Sequence, residues 1–179
     1  MQVQFRRSGE RRYAVRVARS GLPALERDSA PGFDDQMPHD LVHFVVEREL
    51  GLRQGIFGQL AAGGNAGLFL PTSTEARDRR GSARERRALL KRSEKLALAG
   101  RDDGAASEAA AAVALMAWRT HRRGGRFAAP AWIGTERLRR ICEQMDVLSA
   151  QWMRLDVGDS MSVDWPESES SRANHRRQH

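Results

Sequence analysis

Two histidines four residues apart, His39 and His43, are the residues of this chain whose type and spacing point to chemistry. Four residues is close to one helical turn, so on a helix both imidazoles face the same way, about 6 Å apart along the axis. That separation suits a single metal ion held about 2.0–2.1 Å from one nitrogen of each ring. Glu47 continues the row. At about 12 Å from His39 along the axis it is too far to share the same ion. Its expected role is to accept a hydrogen bond from the other N–H of the His43 ring, orienting that ring from behind the metal.

Asp40 follows the first histidine directly, at the position where the helical His-Glu-x-x-His zinc motif carries the glutamate that acts as base. A divalent ion would lower the pKa of its water toward ~7, and Asp40 is the candidate acceptor of that proton. Being one methylene shorter than Glu, Asp40 would stand back and act through a second water; metal ligand and first-turn cap are its other readings. The third ligand must come from elsewhere in the chain. Asp34, Asp35, Glu108, His121 and Cys142 are candidates, but Glu143 and Asp146 are preferred, because an acid from a second helix completes many histidine-pair zinc sites. The spacing also resembles the short metal motif of a ubiquinone-biosynthesis lyase family. That family carries a Glu after eleven intervening residues, where this chain has Gly55, and it is mainly helical, so its function is not carried over.

On a helical wheel of about 100° per residue, His39, His43, Glu47 and Asp40 fill one sector, and Leu41, Val42, Phe44 and Val45 fill the rest. The competing structural reading is a helix that simply turns its polar face to water, with His43 and Glu47 as an ordinary i, i+4 pair. Arg and Ala dominate elsewhere, yet neither occurs on this face, and two of the three histidines outside the C-terminal tail lie here.

The elements that must position this helix follow from periodicity. Alternation at Val3 and Phe5, then at Tyr13, Val15 and Val17, with Ser8-Gly9-Glu10 between, predicts a β-hairpin over 2–18. Residues 21–36, with Pro23, Pro31 and Gly32, read as a loop. The histidine helix should begin at Pro38 and stop at Gly51. A short helix over 55–62 and the flexible loop 63–67 follow. Thr72 and Glu75 have capping-box spacing. A basic helix should span 83–99, an Ala-rich one 105–122 after a turn at Gly100 to Gly104, and a last one 136–151. A second hairpin is expected over 152–165, around Asp156-Val157-Gly158-Asp159. The fold class is therefore α+β: an antiparallel sheet built from an N-terminal and a C-terminal hairpin, packed with about four helices. Residues 1–166 read as a single domain, with a mobile basic loop at 72–82 and a disordered polar tail at 167–179.

Composition narrows the function classes. With 179 residues, one cysteine and no apolar run approaching the ~18–20 residues of a membrane span, the chain reads as a cytoplasmic protein without a disulfide framework. The net charge of +7 is uneven: residues 77–95 hold nine basic side chains against three acids. Arg84, Arg87 and Lys91 in that block define the alternative function, a non-enzymatic module docking nucleic acid or an acidic partner protein. Against it, 28 of the 30 basic residues are Arg, as a coding bias that fills solvated positions would produce. The leading reading is a metal-binding protein, zinc being the favoured ion. It extends to a zinc-dependent hydrolase of a small or peptide substrate, with no membrane partner.

Overall fold

The computed structural model describes residues 1–72 and 80–166. Five strands form one antiparallel sheet: β1 (Gln2–Gly9), β2 (Arg12–Arg19), β3 (Leu22–Ala30), β4 (Leu70–Pro71) and β5 (Ser160–Asp164), in the order β4-β3-β2-β1-β5. Five helices accompany it among the described residues: α1 (His39–Leu50), α2 (Ile56–Ala61), α3 (Arg80–Ala99), α4 (Arg101–Arg122) and α5 (Thr135–Trp152). The fold is α+β. Among the described residues, no helix is long and apolar enough to cross a membrane.

The N-terminal hairpin forms because Val3, Phe5, Tyr13, Val15 and Val17 alternate and bury one face of the sheet. The chain's last described strand closes the other side of β1, with Val3 opposite Val163 and Phe5 opposite Met161. Phe5, Phe44, Phe57 and Trp165 then meet across the sheet–helix boundary. Phe44 and Phe57 lie 5.2 Å apart edge to face, and Phe44 and Trp165 5.7 Å apart. Such pairs contribute about 0.5–1.5 kcal/mol each beyond their buried area. This cluster seats α1 on the sheet.

Helices α4 and α5 also pack against α1, so that it is buried from Asp40 to Glu47. Helix α4 can approach closely because its inner positions, Ala110, Ala111, Ala114 and Ala117, are small. Helix α5 buries Leu138, Ile141, Met145, Leu148 and Trp152 at helical spacing.

Three local expectations are corrected. Residues 22–30 form a strand rather than a loop, because β3 pairs with β2 along its length and buries Leu25. The second hairpin does not form: Trp152 belongs to the apolar stripe of α5 and residues 153–155 turn out of the helix, so only β5 joins the sheet. The turn expected at Gly100 to Gly104 is the start of α4, with Gly100 at its N-cap. The proposed loop 72–82 falls outside the described residues except at its ends, where Thr72 follows β4 and residues 80–82 lie in α3. Glu75 of the capping-box spacing and the tail 167–179 lie outside them too.

Candidate metal centre

Helix α1 starts where Pro38 occupies the N-cap in extended conformation and ends at Gly51 in the left-handed region. Its polar row is not a wet face. His43 is 1% exposed, Glu47 0% and Asp40 5%, whereas His39 stands at the surface. Burying an imidazole and two carboxylates costs several kcal/mol unless each finds partners. The partners therefore decide what the row is for.

The rings of His39 and His43 meet edge to face with centroids 4.5 Å apart. Glu108 on α4 lies across from them, its Oε1 3.7 Å from His43 Nε2. One ligand atom from each of His39, His43 and Glu108 lies within 4.8 Å of the others, and this group can hold a metal ion. Tetrahedral ligands at about 2.1 Å stand roughly 3.4 Å apart, so up to about 1.4 Å of closure is needed. It would come from the two exposed members, His39 and Glu108.

The rear of the site is fixed. His43 Nδ1 is 2.8 Å from Ser107 Oγ, and Ser107 Oγ–H donates to Glu47 Oε1 at 2.9 Å. With Glu47 ionised, the Ser107 proton is directed at the carboxylate and the hydroxyl accepts from His43 Nδ1–H. That tautomer leaves the Nε2 lone pair free and facing His39 and Glu108. Nε2 is buried and has no hydrogen-bond partner among the described residues. Burial lowers the His43 pKa to about 4, with the neighbouring His39 adding to the shift and Glu108 opposing it. The ring is thus held neutral, the form that ligates metal.

Glu47 has a second task. Its Oε1 accepts the Ile56 N–H and its Oε2 the Phe57 N–H, each at 2.9 Å, which caps α2 in place of an N-cap side chain. Burial pushes its pKa up to about 7, against these donors and Ser107. A Cβ at Gly55 would fall on the carboxylate, so the position opposite the lyase family's Glu must stay without a side chain here. Gly32 plays the matching part for His39. It accepts the His39 N–H, sits at φ +76°, and a Cβ there would come within 2.6 Å of the His39 Cβ.

Asp40 lies beside the group without belonging to it. Its Oδ1 is 3.6 Å from Arg27, its backbone N–H donates to Tyr13 Oη, and its Oδ2 is buried without a partner among the described residues. Burial raises its pKa, and Arg27 partly restores it.

The preferred third ligands have other partners. Glu143 pairs with Arg139 on the exposed side of α5, and Asp146 accepts the Trp118 indole N–H at 2.8 Å. Neither belongs to the histidine group: Glu143 is paired within α5 and Asp146 ties α5 to α4. Asp34 and Asp35 are likewise engaged, by Arg119 and Arg7. The acid that joins the pair is Glu108, one of the alternatives. Glu47 does not touch the His43 ring, and Ser107 stands between them. Sequence reasoning missed Ser107 altogether. Its one local signal is that Ser107 and Glu108 are the only polar residues in the run 105–112, where every other residue is alanine.

No protein-family model matches this chain, and neither a curated protein nor a solved structure matches it.

Proposed function

We propose that His39, His43 and Glu108 bind one divalent metal ion, and that zinc is the ion. The observation that carries this reading is the buried, unpartnered His43 Nε2, its tautomer set by Ser107, directed at two further ligand side chains. Without a ligand, burying that lone pair costs free energy for nothing in return. Two histidines and one glutamate with an open position are a donor set of catalytic zinc centres. Bound there, zinc would supply Lewis acidity and an acidified water. Hydrolysis of a small or peptide substrate is the reaction this chemistry favours, with the free Oδ2 of Asp40 as proton acceptor. Elemental analysis of the untagged full chain tests the site. About one equivalent of zinc should be present and be lost in His39→Ala and Glu108→Ala, while Asp40→Asn should keep the ion. A wild-type chain that stays metal-free after reconstitution with zinc, iron and manganese would sink the proposal.

A second reading is favoured by α3. Arg84, Arg87 and Lys91 are all exposed, and their i, i+3, i+7 spacing puts them on one face. Docking of nucleic acid or an acidic protein on that face predicts binding that weakens steeply with salt and in the triple alanine variant. Salt-independent binding, or none, would remove this reading.

A further inference from the structure

A cleft of about 410 Å³ lies between the β3–β4 edge of the sheet and α3, and it shares no residue with the histidine site. Its apolar walls include Leu22, Pro71 and Leu89, and Leu22 is 41% exposed. Three arginines also line it, Arg19, Arg86 and Arg92, against a single acid, Glu85. Two of the guanidiniums converge on the Gly63–Gly64 corner. Arg19 donates to the carbonyls of Leu60 and Gly64 at 3.1 and 2.8 Å. The Arg92 guanidinium carbon lies 2.9 Å from where a Cβ of Gly63 would be. Arg19 Nε is buried with no hydrogen-bond partner among the described residues. Burial and the nearby charge of Arg92 both disfavour the Arg19 cation.

Like charges brought together beside an apolar wall are stabilised by an anion, and arginine forks suit phosphate and carboxylate oxygens. A cleft of this size suits a small molecule. A nucleic-acid backbone would follow the outer stripe of α3, whose Arg84, Arg87 and Lys91 do not line the cleft. We propose that the cleft binds a small amphiphilic anion, its phosphate or carboxylate head at the corner where Arg92 meets Arg19, with Arg86 on the same lining, and its apolar body along Leu22, Pro71 and Leu89.

Isothermal titration calorimetry of the full chain, with octyl phosphate and decanoate below their micelle concentrations, tests this. At least one of the two should bind at one site, about tenfold or more tighter than inorganic phosphate or octanol, whichever binds tighter assigning the head group. Arg86→Ala and Arg92→Ala replace exposed side chains, so the fold should survive, as circular dichroism can verify. Each should weaken binding about tenfold. The proposal is overturned if neither amphiphile saturates, if inorganic phosphate binds as tightly, or if both variants bind like the wild type. His39→Ala should bind the amphiphile normally, and loss of binding there would also count against an independent site.

Discussion

His43 and Ser107 share a 2.8 Å hydrogen bond that determines which imidazole nitrogen faces the candidate metal centre. Ser107 has one proton, which it donates in a hydrogen bond to the ionised Glu47. The ring must therefore donate from Nδ1 and present Nε2 as a lone pair. Ser107→Ala removes that constraint and leaves Nδ1–H without its acceptor. Zinc affinity, read by competition with a chromogenic chelator, should fall about 10- to 100-fold. Stability should fall by about 1–3 kcal/mol in chemical denaturation. Ser107→Thr keeps the hydroxyl and should recover most of the affinity. Equal zinc affinity in all three proteins would show that Ser107 does not orient the ring.

Two buried groups in this row titrate in opposite senses. His43, depressed to about 4, is neutral in the fold where an unfolded histidine at about 6.5 takes up a proton, so its contribution is present above about pH 6.5 and is lost as pH falls toward 4. Glu47, raised to about 7, keeps its proton in the fold where the unfolded carboxyl has lost it. Its contribution is complete below about pH 4.5 and is lost as pH rises to 7. The two slopes nearly cancel, and metal-free wild-type protein should show little net change from this pair between pH 4.5 and 6.5. Glu47→Gln removes one slope. Stripped of metal, that variant should gain stability steadily from pH 4 to 6.5, by up to about 3 kcal/mol more than the wild type over the same range. Parallel urea-denaturation profiles of the two proteins would contradict this assignment.

Much of this arrangement was legible in the sequence, and what was not has physical reasons. The histidine pair, the limits of α1 and the first hairpin depend on local periodicity, which is written in consecutive residues. Strand β3 was hidden because Pro23 opens it and Glu26-Arg27-Asp28 breaks the alternation. Its order comes from pairing with β2, which is a tertiary fact. Trp152 has strand-like neighbours but completes the stripe of α5, and burial against Tyr13 and Phe33 decided its state. Gly104 is tolerated inside α4, where helix continuity outweighs a cost of about 1 kcal/mol. Glu108 lies 65 positions beyond His43, on another helix. Spacing could name it only among several acids, because its selection depends on how α4 packs against α1.

Zinc that binds the folded chain at this site should stabilise it. At a free concentration about 100 times the dissociation constant the gain is about 2.7 kcal/mol, several degrees in Tm for a chain of this size. His39 is exposed, so His39→Ala should leave the metal-free Tm within about 2 °C of wild type, since such surface changes cost little, while abolishing the zinc-induced rise. His43→Ala should lower the metal-free Tm as well, because it empties a buried position. A zinc-induced rise that persists in His39→Ala would place the ion elsewhere.

Gly55 is where the fold and the site constrain each other most closely. Its missing side chain lets the Glu47 carboxylate approach the first N–H groups of α2, and the same carboxylate receives Ser107. Gly55→Ala puts a methyl group onto that carboxylate, while the local backbone at φ −67° can accept alanine without strain. The damage should therefore come from displacing Glu47 alone, about 1–3 kcal/mol of stability by overpacking. Zinc affinity should fall with it, as the Glu47–Ser107–His43 chain of hydrogen bonds loses its anchor. Gly51→Ala is the matched control: a Cβ there meets nothing within 4 Å, and the cost comes from positive φ at the helix end. It should destabilise without changing zinc affinity. If both variants lose affinity in proportion to stability, Glu47 serves the fold and has no separate hold on His43.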